Sequence, residues 1–531
     1  MNTSNPIFSI KNFRSFGSNG ADFELAPITV LTGCNSAGKS SLVKAITLLA
    51  EKELDSFDKE ILKISTKQLC LGGYNSVSNG DNKIIISYRN WSALLHDNIT
   101  VTKVFGPNHK DALDEGYLYK LSIEKSDGSL VYEASSGHHD YKVDAIKQNL
   151  IELCAVGSYV KLMMEFIPLT KHREKERNSG NLKFGSEELL HMAKETLNVS
   201  GFNEEEAVSL WNNSYSEAFE KVISAIKPFR EPISITDCIK NHSEDEWEWS
   251  ILTHKFIDLI VEESCSPDFI KGLLYINSTS AQIARLYTIE DENKMCRALR
   301  NYNYRKRDRL NIDMHLSPEP LSYEPGCFLN KWIEKFEIGK SIEIKGTDEG
   351  LGLMIYLNTE KGKRLLADEG YGITQLVSLL LQIDNSIPLD AQHIPTVTLE
   401  KDGLDCNLSY RYQPHTICVE EPEVHLHPRY QSLLAEMFVE AYQEYNIHFI
   451  IETHSEYLIR KLQVMVADKD NSITSNDVSL NYVEKEENGV STNRKIEILK
   501  DGRLSEPFGT GFYDEATGLS LNLLELKIKS I

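Results

Sequence analysis

The sequence predicts an α/β fold whose two halves are separated by a largely helical insertion, and three observations lead to this prediction. A glycine-rich loop at residues 33–40 lies between a strand-like and a helix-like run, and a second apolar run at residues 415–420 ends in acidic side chains. Between them, residues 143–263 carry apolar side chains at helical spacing. The expected bounds of the first half, the mixed and then helical insertion, and the second half are residues 1–95, 96–340 and 341–531.

The glycine-rich loop matches the phosphate-loop pattern G-x-x-x-x-G-K-[ST]. The β-branched run 28–31 precedes it, and residues 42–46 have the apolar spacing of a helix. In this setting backbone N–H groups face a phosphate, Lys39 reaches the terminal phosphates of a nucleotide, and Ser40 ligates Mg²⁺. The sequence therefore predicts ATP and Mg²⁺ as cofactors. The other loop residues that we predict to bind the nucleotide are Gly33, Asn35, Ser36, Ala37, Gly38 and Ser41.

Length and composition indicate an ordinary globular protein. The 531 residues are enough for two or more domains with sizeable cores. Residues 1–6 are polar, and no run of about 18 apolar residues occurs, so we expect a cytoplasmic protein with no membrane contact. The nine cysteines lack C-x-x-C spacing, which favours neither a disulfide framework nor a zinc site.

The net charge of -22 argues against non-specific coating of nucleic acid by the whole surface. It leaves room for a local basic path. Residues 302–309, which combine Tyr302 and Tyr304 with Arg305, and residues 171–177 are the two candidates. The alternative for both is a solvated loop that balances an acidic chain.

The first half of the chain reads mainly as strands. We predict strands at residues 7–16, 22–25, 68–73 and 83–88, with further strand-like runs in residues 100–135. Gln68 is a weak candidate for contacting Mg²⁺ or the attacking water, and the alternative is a surface strand residue. The predicted helices of the insertion are residues 143–171, 186–197, 204–226 and 247–263.

The second half opens with strands at residues 341–345 and 353–357 and continues into L-A-D-E-G-Y-G-I-T-Q at residues 366–375. This stretch runs into the apolar helix pattern of residues 376–381. Glycines, a hydroxyl and an amide at a helix start form a second anion-binding site in principle. Taken alone they are also compatible with a simple helix cap. The residues concerned are Gly370, Gly372, Thr374 and Gln375.

Paired carboxylates then end the apolar run H-T-I-C-V-E-E-P. Glu420 is suited to hold Mg²⁺ through water, and Glu421 to orient and deprotonate an attacking water. The alternative is an exposed strand end. His425 and His427 follow at i, i+2, and on a loop without a third ligand they favour a structural role over a metal site.

A helix at residues 429–445 and a strand at 447–451 lead to E-T-H-S, which contains His454. A histidine directly after a buried strand of the same sheet can hydrogen-bond a γ-phosphate. Its ordinary alternative is a structural histidine.

The order of these motifs resembles the ABC-type ATPases of the overcoming-lysogenisation-defect and chromosome-maintenance superfamily. It is most similar to the single-chain bacterial group found in anti-phage operons, to which the ATPase subunits of Septu systems belong. The resemblance implies a P-loop NTPase head split by an insertion, and a homodimer or higher homo-oligomer whose heads sandwich ATP. It implies phosphate and Mg²⁺ binding by Lys39 and Ser40, and a metal role for Glu420 where the family usually has Asp. Glu421 would be the water-activating acid and His454 the γ-phosphate sensor.

The resemblance also implies that residues 370–375 contact ATP bound to the opposite protomer. Thr374 stands where the family usually has Ser, and together with Glu420 this leads us to expect slow hydrolysis. No D-x-D cluster follows His454, so we expect no built-in nuclease.

By resemblance, the partner would be a small HNH-type endonuclease, with a reverse transcriptase and its non-coding nucleic acid as further candidates. A DNA-repair ATPase without a nuclease partner is the alternative function. A transporter ATPase is disfavoured by the long insertion and by E-T-H-S.

Overall fold

The structure is a computed structural model. The residues that it describes are 5–54, 60–66, 69–80, 83–92, 97–107, 115–135, 261, 264–265, 267–270, 272–277, 284–288, 294–312, 324–347, 352–387, 394–400, 403–411, 415–468, 473–509, 519 and 521–524. Gln68, the basic residues 171–177 and the predicted helices at 143–171, 186–197 and 204–226 lie outside these ranges, as does nearly all of the helix at 247–263.

The described chain contains strands and helices, with consecutive strands predominating in the first half. The strands are β1 (Ile7–Lys11), β2 (Ala21–Glu24), β3 (Ile28–Gly33), β4 (Glu53–Leu54), β5 (Glu60–Lys63), β6 (Ile84–Ser92), β7 (Asp97–Pro107), β8 (Glu115–Lys125), β9 (Leu130–Ser135), β10 (Leu274–Ile276), β11 (Tyr287–Thr288), β12 (Ser341–Gly346), β13 (Gly352–Thr359), β14 (Gly362–Leu365), β15 (Ile394–Glu400), β16 (Gly403–Arg411), β17 (His415–Glu420), β18 (Ile447–Glu452), β19 (Val478–Lys485) and β20 (Ser491–Ile496). The helices are α1 (Lys39–Ala50), α2 (Tyr74–Val77), α3 (Lys294–Ile312), α4 (Cys327–Lys335), α5 (Tyr371–Ser386), α6 (Pro428–Tyr445) and α7 (Glu456–Ala467).

The central sheet has the strand order β10-β17-β18-β3-β19-β20. Its first five strands run parallel, and β20 pairs antiparallel with β19. In this register Glu420 lies opposite Glu452, which in turn lies opposite Leu31. The ends of the two acidic strands therefore meet beside the phosphate loop that follows β3.

Helix α1 lies between the central sheet and a second, mainly antiparallel sheet. This N-terminal sheet has the order β2-β1-β6-β7-β8-β5-β4, with β9 on β8. Leu42, Val43 and Ile46 of α1 pack in one core with apolar residues of both sheets. Helices α4 to α7 contribute to a second core, which contains Ile417 and Val419 of β17, while Cys418 belongs to the first. Successive side chains of β17 thus pack into different cores on the two faces of the sheet. Because both faces are buried, the strand is apolar at consecutive positions.

Most predicted strands of the two halves are confirmed, although the one predicted at residues 7–16 ends at Lys11, and one prediction is wrong. The prediction of a strand at residues 68–73 is wrong for the part that is described. Gly72 has a φ of +84°, and residues 71–73 form a loop that leads into α2. The Ser76 hydroxyl donates to the carbonyls of Leu71 and Gly73 and so stabilises this turn. In addition, β7 pairs with β6, so the N-terminal sheet continues beyond residue 95.

Part of the basic stretch at residues 302–309 has a packing role. Tyr302 is buried in the core between α3 and α5. Arg305 donates to the carbonyls of Asp384 and Ile387 at the C-terminal end of α5, where backbone carbonyls lack helical partners and favour a cation. Tyr302 and Arg305 therefore pack α3 against α5, which favours a structural role over nucleic-acid binding.

Two smaller antiparallel sheets complete the described fold. One has the order β11-β13-β12 with β14 on β13, and the other is the hairpin β15-β16. Among the described residues, no helix combines the length and the apolarity that crossing a bilayer requires.

Candidate nucleotide-binding site

The phosphate loop connects β3 to α1 as the sequence predicts. Gly33, Ser36 and Gly38 all have positive φ, at +136°, +60° and +107°. A Cβ atom on Gly33 would lie 2.0 Å from the Val483 carbonyl oxygen, and one on Gly38 would lie 2.4 Å from the Ser15 hydroxyl. Both positions therefore require glycine for their backbone conformation and for lack of space. Asn35 and Ser36 are exposed, while Ala37 is buried beneath them. The loop fits a phosphate-binding role.

Lys39 is held at the centre of this loop. Its Nζ donates to the carbonyl oxygens of Gly33 at 3.2 Å and Cys34 at 2.9 Å. Burial lowers the pKa of Lys39, and the nearby carboxylates, Glu452 above all, act in the opposite direction. A cation held against the loop in this way is suited to bind the terminal phosphates of a nucleotide.

Ser40 contacts a carboxylate that the sequence analysis did not select. Its Oγ donates to Oε1 of Glu452 at 2.8 Å. Glu452 is the last residue of β18 and is 5% exposed. Within the described part of the chain, its Oε2 is buried and accepts no hydrogen bond. Burial raises the pKa of Glu452 to about 7, and the Glu420 carboxylate contributes in the same direction.

Glu420 and Glu421 follow each other at the end of β17 but differ in their surroundings. The Glu420 carboxylate accepts a hydrogen bond from Tyr275 of β10. Burial raises the pKa of Tyr275, and the negative charge of Glu420 raises it further. Glu421 has a left-handed backbone with a φ of +46°. Its N–H donates to the Glu452 carbonyl at 2.7 Å, and its own carbonyl accepts from Gln375 Nε2 at 3.3 Å. Such a backbone costs on the order of 1–3 kcal/mol and is concentrated at functional sites.

His454 lies just beyond Glu452 and is fixed through its backbone. Its N–H donates to Oε1 of Glu423 at 2.7 Å. Glu423 is buried, and burial raises its pKa. Burial and then the Lys39 ammonium lower the pKa of His454, so its imidazole is neutral near pH 7. A neutral ring retains one N–H donor for a phosphate oxygen.

The predicted second anion site begins helix α5, with Gly370 as its N-cap. Two of its residues have roles within the chain. A Cβ atom on Gly372 would lie 2.4 Å from the His425 carbonyl oxygen, and the buried Thr374 donates to the Tyr371 carbonyl at 2.7 Å. By contrast, no described atom lies within 4 Å of a Cβ on Gly370, and Tyr371 is 41% exposed. The surface of this element that is open to another molecule therefore starts at Gly370.

Replacing Gly372 by Ala should destabilise the fold. The added methyl would overlap the His425 carbonyl, so the start of α5 or the loop after β17 must move, at a cost of about 1–3 kcal/mol. Gly370→Ala is the matched control, since Gly370 has a φ of -62° and an open Cβ direction. Urea unfolding measures both variants. Equal free energies of unfolding for the two variants would contradict the packing assigned to Gly372.

His425 and His427 both make structural contacts. His427 caps α6, its Nδ1 accepting from the Arg429 N–H at 3.3 Å. His425 has a φ of +62°, and its ring packs edge-on against Tyr371 with centroids 4.8 Å apart. No group of three or more His, Cys, Asp or Glu side chains suited to hold a metal occurs in the described ranges.

Sequence reasoning missed three residues of this site: Tyr275, Glu423 and Glu452. Two of them had a usable signal. Glu423 is the third acid of E-E-P-E, and Glu452 opens E-T-H-S directly after an apolar strand. Tyr275 had none, because the short strand β10 reaches β17 from more than a hundred residues away in the chain.

Comparison with known proteins gives a family and several distant structural neighbours. A family model described as AAA ATPase domain matches residues 7–459, and one described as protein of unknown function (DUF3696) matches residues 473–523. No curated protein matches the chain.

Among solved structures, an SMC head bound to the C-winged helix domain of ScpA shares 11% identity, with coverage of 93% of this chain and 98% of that one and a TM-score of 0.34. An SMC head with an extended coiled coil from Pyrococcus furiosus, bound to the C-terminal domain of ScpA, shares 14% identity, with 93% and 96% coverage and a TM-score of 0.32. The SMC head domain from Thermotoga maritima shares 12% identity, with 94% and 100% coverage and a TM-score of 0.33.

The family match and the site agree on one class of protein. The AAA ATPase model spans most of the chain and includes the phosphate loop, the paired carboxylates and His454. The predicted P-loop ATPase head of mixed α/β structure is confirmed, and the chain belongs to the AAA ATPase domain family.

Proposed function

We propose that this chain is a Mg²⁺-dependent ATPase of the ABC type that dimerises, or assembles further, through its heads. One observation carries the proposal: Lys39, Ser40, Glu420, Glu421 and His454 converge at one edge of the central sheet, linked through the backbone and side chain of Glu452 and by the Glu423 carboxylate.

Each group has a role that its surroundings support. Ser40 and Glu420 would hold Mg²⁺, which when bound supplies positive charge to the terminal phosphates. Glu421 stands beyond the strand end, where its carboxylate can orient a water and take its proton. His454 donates a hydrogen bond to the γ-phosphate as a neutral imidazole. The longer side chain of Glu420, compared with Asp, leads us to expect slow turnover.

The element at residues 370–375 would contact ATP on the opposite protomer. Gly370 and Tyr371 are the exposed part of this element, and they are open to a partner. Gly372, Thr374 and Gln375 support them from within the chain. The α5 N-terminus adds the partial positive charge that favours an anion.

The effector that this ATPase controls would be a separate nuclease in bacterial antiviral defence, as in the Septu systems. Two described strands after His454 belong to the central sheet: β19 pairs with β3, and β20 pairs with β19. No acid or histidine cluster for a second metal occurs in the described ranges. Without such a cluster, these residues offer no group to activate water against a phosphodiester.

The purified chain should leave DNA and RNA intact with Mg²⁺ or Mn²⁺, with or without ATP. Co-expression with a nuclease gene from its operon should yield a stable complex that cleaves. Gel assays with the chain alone and with the complex test this. Cleavage by the isolated chain that survives Glu421→Gln and is lost on a change outside the ATP site would overturn the proposal. DNA-stimulated ATP turnover without any nuclease partner would instead favour the DNA-repair function.

A further inference from the structure

Glu452 forms hydrogen bonds with Ser40 at the phosphate loop and with Glu421, the proposed general base. Its carboxylate accepts the Ser40 hydroxyl proton at 2.8 Å, and its main-chain carbonyl accepts the Glu421 N–H at 2.7 Å. It lies in register between Glu420 on β17 and Leu31 at the end of the phosphate-loop strand. No prediction from the sequence and no comparison assigns it a role.

The direction of the Ser40 hydrogen bond matters for cation binding. A hydroxyl that ligates a cation does so through an oxygen lone pair, so its proton must point to an acceptor elsewhere. Glu452 Oε1 provides that acceptor on the strand that neighbours the phosphate loop. An anionic acceptor forms a stronger hydrogen bond than a neutral one and makes the hydroxyl oxygen a better ligand.

The Glu452 carboxylate is buried and only partly hydrogen-bonded. Glu452 is 5% exposed, and its Oε2 atom accepts no hydrogen bond among the described residues. A buried carboxylate oxygen without a hydrogen bond costs stability, and this cost favours a functional reason for keeping Glu452. Its nearest charged neighbours include Lys39, Glu420 and Glu421, all of which belong to the proposed ATP site.

We propose that Glu452 is a positioning residue for Mg²⁺, which acts through Ser40 by orienting its hydroxyl and strengthening its oxygen as a ligand. This inference rests on the proposed ATPase function. The charge of Glu452 sets how much Mg²⁺ the nucleotide site requires, and its backbone carbonyl holds Glu421 in the left-handed conformation beside it.

Titration calorimetry of ATP binding over a range of Mg²⁺ concentrations, and in EDTA, tests this role. Glu452→Gln keeps an oxygen that accepts from Ser40 but removes the charge. We expect the Mg²⁺ concentration at half-maximal ATP binding to rise about 10- to 100-fold, the usual effect of losing an outer partner of a metal ligand. ATP affinity in EDTA should not fall, because Lys39 and the loop are intact and a negative charge near the phosphates has been removed. Glu452→Asp keeps the charge and should restore part of the effect.

Two further variants separate this role from a general loss of structure. Asp384→Asn also neutralises a buried carboxylate, one that accepts the Gly326 and Leu329 N–H groups near the C-terminal end of α5 and outside the ATP site, and it should leave the Mg²⁺ midpoint in place. In a Ser40→Ala background, Glu452→Gln should cause no additional shift, since the effect passes through the hydroxyl.

The outcomes separate a failure of the proposed ATPase function from a failure of the role of Glu452. A parent chain that binds no ATP overturns the proposed function. A parent that binds ATP, with Glu452→Gln weakening binding equally in EDTA and in Mg²⁺, overturns only the role of Glu452. An additional shift in the Ser40→Ala background would likewise overturn the route through Ser40.

Discussion

Replacing Glu421 by Gln should preserve ATP binding and lower turnover at least about a hundredfold, which is the scale of losing a general base. The substitution removes a proton acceptor while Lys39, Ser40 and the loop remain unchanged. The side chain keeps its length, and the backbone hydrogen bonds to Glu452 and Gln375 do not involve the carboxylate. Phosphate release and calorimetry measure the two quantities separately.

Glu497→Gln is the control for this experiment, because Glu497 is an exposed carboxylate paired with Lys495 that follows β20 at the opposite edge of the central sheet from Glu421. It should bind and hydrolyse ATP as the parent does. Turnover by Glu421→Gln at the parent rate would show that another group takes the proton.

Mixing two inactive variants should restore activity if the site is shared between protomers. Lys39→Ala removes the phosphate-binding cation, and Gly370→Arg places a large side chain at the open start of α5 without an internal clash. A mixed dimer then has one site with both defects and one with neither. We expect each variant alone to be inactive, and mixed dimers to recover the activity of one site.

A second mixture provides the control. Lys39→Ala combined with Glu421→Gln places one defect on the phosphate-loop side of each shared site, so neither site is intact. This mixture should stay inactive, although its two chains assemble in the same way. If Lys39→Ala with Gly370→Arg also fails to recover in dimers verified by mass measurement, residues 370–375 do not act across the dimer.

The chemistry of the phosphate loop could be predicted from the sequence because it is local. The two glycines, Lys39 and Ser40 lie within eight residues, and the flanking strand and helix are visible in the apolar pattern. The placement of Glu420, Glu421 and His454 could be predicted in a similar way, since each follows an apolar run, and parallel strands place such ends at one edge of a sheet; their roles stay predictions. The strand predicted at residues 68–73 was wrong because a glycine with positive φ turns the chain there.

The amino-acid sequence by itself therefore determined which chemical groups this protein presents, in which order, and on which kind of element. Only the tertiary structure decided which groups touch. The strand order places β18 between β17 and β3, and this makes Glu452, rather than any nearby residue in sequence, the partner of Ser40. It likewise sets Gly372 against His425 and Tyr275 against Glu420. The physical reason is that a strand's own pattern specifies its buried faces, whereas its neighbours and their register depend on how the whole sheet assembles.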